Sequence, residues 1–139
     1  MELGAQGDRV VLAYTQNSDV RLRRSTNRGA SFGSSKTIRN NSDEGFVSAW
    51  PTSVSIKGER MVVGVTEVAG DIGFDGAGFG YLSTNGGSSW TSKPHHLHGL
   101  LVAGLVKVGD GYRYAEAWDQ SIHDESDDPA VERLRFRRE

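Results

Sequence analysis

The sequence predicts an all-β fold built from repeated antiparallel units. Eighteen glycines stand against three prolines, and short runs of Val, Ile, Leu and Tyr recur without sustained helical periodicity. A Gly-acid step precedes a strand-like run three times, at Gly7, Gly58 and Gly109, with a constant spacing of 51 residues. An eight-residue polar turn occurs twice, as STNRGASF at Ser25–Phe32 and as STNGGSSW at Ser83–Trp90. Two independent repeats of this kind predict a repetitive architecture.

Each unit begins with a strand, a Gly-acid turn and a second strand. The predicted first strands are 1–6, 52–57 and 104–108, and the predicted second strands are 7–14, 58–65 and 109–118. The stretch 52–57 alternates between polar and apolar residues, as a strand with one buried face requires, and the second strands are rich in β-branched or aromatic residues.

A third strand follows in each unit, and a fourth follows each polar turn. The predicted third strands are Val20–Arg24, Phe79–Leu82 and Glu132–Arg138. The predicted fourth strands are Ser35–Ile38 and Thr91–Leu97, and no fourth strand is predicted in the third unit. The sequence therefore predicts four, four and three strands.

The polar turn has the chemistry of a tight hairpin. An Asn two residues after a Ser can bond the backbone that follows it, the Gly accepts a positive φ, and the final aromatic residue covers the hairpin. These structural positions are Ser25, Asn27, Gly29 and Phe32 in the first copy, and Ser83, Asn85, Gly87 and Trp90 in the second.

These two turns resemble the Asp-box, or BNR repeat, Ser-x-Asp-x-Gly-x-Thr-Trp, of sialidases and related β-propellers. The Ser, Gly and aromatic positions match in both copies. Asn27 and Asn85 stand where the family usually has Asp, and Ser31 and Ser89 where it often has Thr. In that family the turn joins the third and fourth strands of a blade, so the resemblance implies a sialidase-like propeller.

Units of 40–50 residues with four antiparallel strands are typical of propeller blades. We assign blade one to 1–39, blade two to 40–95 and blade three, which lacks its outer strand, to 96–139. Three blades cannot close a ring, because propellers have about four to eight. We therefore predict a head-to-tail homodimer that completes a six-bladed ring. A β-sandwich is the alternative that the strand count also allows.

Composition excludes several classes of function. The formal net charge of −2 gives no electrostatic basis for nucleic-acid binding, and the absence of cysteine excludes disulfides and thiolate chemistry. The sequence shows no signal-peptide pattern and no apolar run of membrane-spanning length, so no membrane partner is predicted. The cellular compartment is left open.

In an up-and-down blade, the loop between the second and third strands lies at the end opposite the Asp-box turn. Two such loops are long, at Glu67–Gly78 and Asp119–Ala130, and we expect ligands to bind at this end. Five aspartates fall here and offer oxygen ligands of the kind that calcium takes: Asp71, Asp75, Asp124, Asp127 and Asp128. We interpret them as solvated loop acids, so no cofactor is predicted, and a calcium site is the alternative.

Histidines are the other potential metal ligands, at His95, His96, His98 and His123. His95 and His96 would point to opposite faces of a strand, so no zinc site is predicted. Two tryptophans, Trp50 and Trp118, fall at the loop end near the acids. A flat aromatic beside acids is suited to sugar binding, and filling the space between blades is the alternative. The predicted ligand-binding residues are Trp50, Asp71, Asp75, Trp118 and Asp124.

The resemblance implies a catalytic set of three arginines, a Tyr–Glu pair and an Asp. The Arg-Ile-Pro motif of sialidases is absent, and the arginines cluster on predicted third strands, as in RLRR and RFRR. Tyr112, Tyr114 and Glu116 share one face of a strand, where packing between blades is the interpretation that we favour. No catalytic residue is predicted.

The prediction is therefore a non-catalytic Asp-box propeller module with a ligand-binding face. The resemblance makes a carbohydrate or a glycosylated partner the leading ligand. The alternatives are a sialidase-like glycoside hydrolase whose site is assembled between chains, and a protein-interaction scaffold.

Overall fold

A computed structural model describes residues 1–40, 48–69, 75–93, 96–97, 101–119 and 134–138. The described residues form strands and turns without a helix, and the strands make three antiparallel sheets. The all-β prediction is thereby confirmed. Within the described residues each sheet is an open array, and none closes on itself.

The first sheet is a four-stranded meander in chain order. Its strands are β1 (Glu2–Gln6), β2 (Arg9–Gln16), β3 (Asp19–Ser25) and β4 (Lys36–Arg39). Gly7 opens the β1–β2 turn with a φ of +58°, the conformation that two-residue hairpins demand and that glycine adopts without strain. Gly58 and Gly109 repeat this φ in the other two sheets.

The second sheet has the same order, but its fourth position is shared by two short strands. Its strands are β5 (Ser48–Lys57), β6 (Arg60–Ala69), β7 (Asp75–Ser83), β8 (Thr91–Ser92) and β9 (His96–Leu97). Both β8 and β9 pair with β7, so the predicted strand Thr91–Leu97 is divided. Pro94 stands between them in the sequence and has no N–H to donate to a ladder. The predicted unit boundary between 95 and 96 falls inside this sheet.

The third sheet has three described strands, β10 (Leu101–Val108), β11 (Gly111–Asp119) and β12 (Leu134–Arg138). Two first strands are longer than predicted, because β5 begins at Ser48 and β10 at Leu101. The start of β5 was missed in the sequence because Pro51, which has no N–H, lies within this strand. This proline lies on an edge strand, next to a register shift, where a missing N–H is tolerated.

The sheets stack in chain order around two apolar clusters. The first lies between sheets one and two and includes Val11, Leu22, Met61 and Val63. The second lies between sheets two and three and includes Val62, Leu101 and Tyr114. We call the side of a sheet that faces the next sheet in the chain its forward face, and the opposite side its backward face.

The hairpin turns and the polar turns lie at one end of the stack. The Arg28 N–H donates to the Asp8 carbonyl at 2.9 Å, and the Gly86 N–H donates to the Glu59 carbonyl at 2.9 Å. These bonds link each polar turn to the Gly-acid turn of its own sheet. We call this the turn end. The opposite end, where β2 meets β3 and β6 meets β7, is the loop end.

Candidate functional site

The two polar turns have the same hydrogen-bond arrangement. In the second copy the Ser83 hydroxyl accepts from the backbone N–H of Gly87 at 2.8 Å and donates to Asn85 Oδ1 at 3.0 Å. Asn85 Oδ1 also accepts from Ser89 N at 2.9 Å, and Asn85 Nδ2 donates to Ser89 Oγ at 2.8 Å. The first copy repeats these contacts with Ser25, Asn27, Gly29 and Ser31.

This arrangement explains why asparagine suits the third position of the turn. Its carbonyl oxygen makes the acceptor contacts that a carboxylate would make, and its amide supplies an additional donor to the serine four residues later. Gly29 and Gly87 have φ values of +85° and +81°, as predicted from the turn pattern. The assignment of these turns to the Asp-box family remains a prediction.

The residue before each glycine was not recognised from sequence. It also has a positive φ, +60° at Arg28 and +65° at Gly86. Glycine takes this conformation without strain, whereas a side-chain-bearing residue does not. The Gly86-Gly87 pair is consistent with two successive positive φ values, but the first copy has Arg28 at the equivalent position, so the pattern does not repeat in the sequence.

The closing aromatics are half-buried rather than fully covered. Trp90 packs against the first apolar cluster, and its Nε1–H donates to the Gly87 carbonyl at 3.1 Å. The Phe32 ring would lie 4.0 Å from a Cβ built on Gly29, and phenylalanine has no corresponding polar atom. Both turns therefore act as structural closures of their sheets.

At the loop end, the structure describes the side chain of one predicted ligand-binding residue, Trp50. It lies on β5 opposite Thr66, and 38% of its surface is exposed. Threonine hydroxyls hold the surrounding backbone. Thr15 Oγ1 donates to the Ala49 carbonyl at 2.8 Å, and Thr52 Oγ1 donates to the Leu101 carbonyl. Trp50 therefore projects from a strand that is bonded to both neighbouring sheets.

Three carboxylates near the loop end are buried and engaged with neighbouring side chains. Asp19 pairs with Arg21 at 3.2 Å, Glu67 with Arg39, and Glu116 with the Tyr114 hydroxyl. Each of these carboxylates has 8% or less of its surface exposed.

The Arg39–Glu67 pair is more enclosed than the Arg21–Asp19 pair. Arg39 donates through Nε and Nη2 to both oxygens of Glu67, the second at 3.0 Å, and its guanidinium lies 4.6 Å from the centre of the Phe79 ring. Burial raises the pKa of the neighbouring Tyr81 hydroxyl. The positive charge of Arg39 opposes that shift, and the negative charge of Glu67 adds to it. Nothing in the local sequence of Arg39 pointed to this pairing across 28 residues.

The predicted packing role of Tyr114 and Glu116 agrees with their positions. Tyr114 is 2% exposed and Glu116 is 3% exposed, and Tyr114 belongs to the cluster between sheets two and three. Tyr112 is half-buried and lines a cleft of about 500 Å³ at the turn end, with Arg60, Leu82, Val108, Gly111, Arg113 and Tyr114.

The structure does not describe the side chains of the other four predicted ligand-binding residues. Asp71 and Asp124 lie outside the described residues, as do Asp127, Asp128, His95, His98 and His123. Asp75 begins β7 and Trp118 lies in β11, but their side chains are not described. Of the predicted set, the structure thus places the side chain of Trp50.

Among the described residues, no group of three His, Asp or Glu side chains is arranged to hold a metal ion. The described part of the chain also has no helix that is long and apolar enough to cross a membrane. No protein-family model matches the chain, and no curated protein matches it.

Proposed function

We propose that this chain is a non-catalytic propeller module of the Asp-box type, which binds a carbohydrate or a glycosylated partner at its loop end. Three stacked antiparallel meanders in chain order support the propeller architecture, because consecutive blades stack in this way. The matching bonds of the two polar turns support the family resemblance.

The observation that carries the ligand proposal is the exposed indole of Trp50. An exposed aromatic ring on a rigid strand offers a flat apolar surface to the C–H face of a sugar, at little cost in conformational entropy. The bonds from Thr15 and Thr52 fix the backbone on either side of it. Polar hydroxyls of a glycan would then meet the polar groups of the surrounding loop end.

The burial of Asp19, Glu67 and Glu116 favours binding over hydrolysis. Glycoside hydrolysis requires two carboxyl groups, or a tyrosine–glutamate pair, that reach the substrate. Tyr114 and Glu116 form such a pair chemically, but both are buried between two sheets. A hydrolase would therefore need catalytic groups other than these.

We expect the purified chain to bind a subset of an immobilised panel of neutral and sialylated oligosaccharides. Trp50→Ala should weaken the Kd for the best panel member about tenfold, because loss of an aromatic contact of ~1.4 kcal/mol corresponds to that factor. Trp90→Phe is the matched control, since Trp90 lies in a polar turn at the opposite end, and its Kd should be unchanged.

Isothermal titration calorimetry with the same oligosaccharide gives the Kd values of the wild type and both variants. Equal binding by wild type and Trp50→Ala would refute the Trp50 site, and an absence of binding across the panel would refute the carbohydrate proposal. Release of a monosaccharide during the assay would favour the hydrolase instead.

A further inference from the structure

Glycines on one sheet receive large side chains from the next sheet in the chain. The forward faces of sheets one and two have glycines at the closest approaches, Gly4, Gly64, Gly78 and Gly80, beside larger residues such as Val11, Leu22 and Val62. The backward faces of sheets two and three carry the side chains that meet Gly4, Gly78 and Gly80, namely Val54, Leu101 and Tyr114. The stack is therefore directional at these contacts.

The close approaches show how tightly this arrangement fits. A Cβ on Gly4 would lie 2.5 Å from Val54 Cγ1, and one on Gly80 would lie 2.6 Å from Tyr114 Cζ. A Cβ on Gly64 would lie 3.0 Å from Ala103 N, where Ser53 Oγ also exchanges hydrogen bonds with the Ala103 backbone.

Within the described residues, two faces of the stack are left uncovered. The backward face of sheet one has Leu3 paired to Leu12 and 61% exposed. On the forward face of sheet three Gly104 is paired to Ala115, and nothing lies within 4 Å of a Cβ built on Gly104. On the same face Val102 and Val106 are 46% and 37% exposed.

The 51-residue repeat relates these open faces to the covered ones. It places Val106 at the position of Gly4, and Leu3 at the position of Val54. Gly4 and Val54 are in contact where sheet one meets sheet two. The open forward face of sheet three and the open backward face of sheet one thus correspond, through the repeat, to the two sides of the sheet-to-sheet interface that already occurs twice in the chain, and Val106 is larger than its counterparts Gly4 and Ser55.

We propose that the occupant of both faces is a second copy of this chain, with sheet three of one copy seated on sheet one of the other in both directions. The new contact continues the established sheet-to-sheet stacking and brings Val106 of each chain against Leu3 of the other. Two such interfaces related by a twofold axis close a ring of six sheets. This inference rests on the packing of the sheets and is independent of any ligand.

Light scattering on a sizing column, across a dilution series of the wild-type chain, tests the assembly. We expect a mass of two chains. Leu3→Glu and Val106→Lys should each raise the dimer dissociation constant roughly 100-fold, because each places an unpaired charge in a buried contact. Thr84→Lys changes an exposed turn residue and is the matched control, which should remain dimeric.

Mixing the two disrupted variants tests the head-to-tail geometry. A mixed dimer of Leu3→Glu with Val106→Lys has one native interface and one in which the new charges face each other, so the mass of two chains should return. If the dimer instead formed face to face through sheet one alone, Val106→Lys would not change its dissociation constant. Mixing the two variants would then not restore dimers that contain Leu3→Glu.

Crosslinking provides a second readout, since the chain has no native cysteine. The double variant Leu3→Cys with Val106→Cys, incubated with oxidised glutathione as the oxidant, should form interchain disulfides and run as a dimer without reductant. Neither single cysteine variant should form this crosslinked dimer. A monomeric wild type, a mass other than two chains, or crosslinking of Leu3→Cys alone would overturn the proposal. Circular dichroism establishes that each variant is folded.

Discussion

At the scale of single residues, one buried hydroxyl organises each polar turn. Ser83 is 1% exposed and Ser25 is 3% exposed, and each oxygen both donates to an Asn side chain and accepts from a backbone N–H. Removal of the hydroxyl would leave these partners unsatisfied in an enclosed position, where the loss of a hydrogen bond costs most.

We therefore expect Ser83→Ala to lower the free energy of unfolding by about 2 kcal/mol in urea denaturation. Ser89→Ala is the matched control, because its hydroxyl belongs to the same turn but is exposed, and it should change the free energy by no more than about 0.5 kcal/mol. Similar losses for both variants would contradict the central role of Ser83.

Tyr81 predicts a specific response to alkaline pH. Burial raises the pKa of its hydroxyl in the folded chain above the ordinary value of 10.0. Above about pH 10 the unfolded chain releases this proton while the folded chain retains it, so the free energy of unfolding falls as pH rises through the folded pKa. Tyr81→Phe should remove this part of the decline, as measured by urea denaturation between pH 8 and 11.

Tyr14 should affect stability at alkaline pH in the opposite direction to Tyr81. Its hydroxyl bonds to Ser35 Oγ at 2.8 Å, and this bond, together with Arg23 and Arg21, lowers its pKa. The folded chain therefore releases this proton first, and Tyr14 offsets some of the alkaline loss. Tyr14→Phe should make the decline steeper. The same slope in wild type and both variants would show that neither tyrosine controls it.

At the scale of elements, glycines determine how closely the sheets approach. Gly80 on β7 faces Tyr114 on β11, whose hydroxyl is bonded to Glu116 and whose side chain is buried. Tyr114 therefore cannot turn aside without breaking a buried hydrogen bond, and an added methyl group would separate the two sheets.

Gly80→Ala should consequently destabilise the chain by about 3 kcal/mol, as overpacking of a filled interior does. Gly33→Ala is the matched control, since the atom nearest to its added Cβ is the Arg24 carbonyl oxygen at an ordinary 3.7 Å, and it should change the free energy of unfolding by no more than about 0.5 kcal/mol. Thermal and urea denaturation would both report the difference. Equal stability of the two variants would show that the sheets accommodate the methyl group.

Strand positions were largely predictable, whereas strand ends were not. The Gly-acid turns and alternating runs located the strands of all three sheets, because turn chemistry and side-chain alternation act within a few residues. The early start of β5 at Ser48 and the division of the fourth strand depend on bulges and pairing partners. Such features are set by the neighbouring strand and leave little trace in the local sequence.

At the scale of the whole molecule, stacking direction is the dominant feature. Glycines on the forward faces of sheets one and two receive side chains from the backward face of the next sheet, and within the described residues the backward face of sheet one and the forward face of sheet three are left open. The proposed second copy satisfies both faces at once. It would also bring two loop ends, each with a Trp50, onto the same side of one ring.

The sequence by itself determined the hairpins, the two polar turns, the all-β class and the repeat of 51 residues. Each of these depends on local chemistry, such as a glycine at positive φ or a serine beside an asparagine. Only the tertiary structure decided that Glu67 is neutralised by Arg39, that Glu116 is buried beside Tyr114, and that Trp50 remains exposed. These outcomes depend on which sheet covers each face, and contacts between sheets join residues that lie about 50 positions apart, as Gly4 and Val54 do.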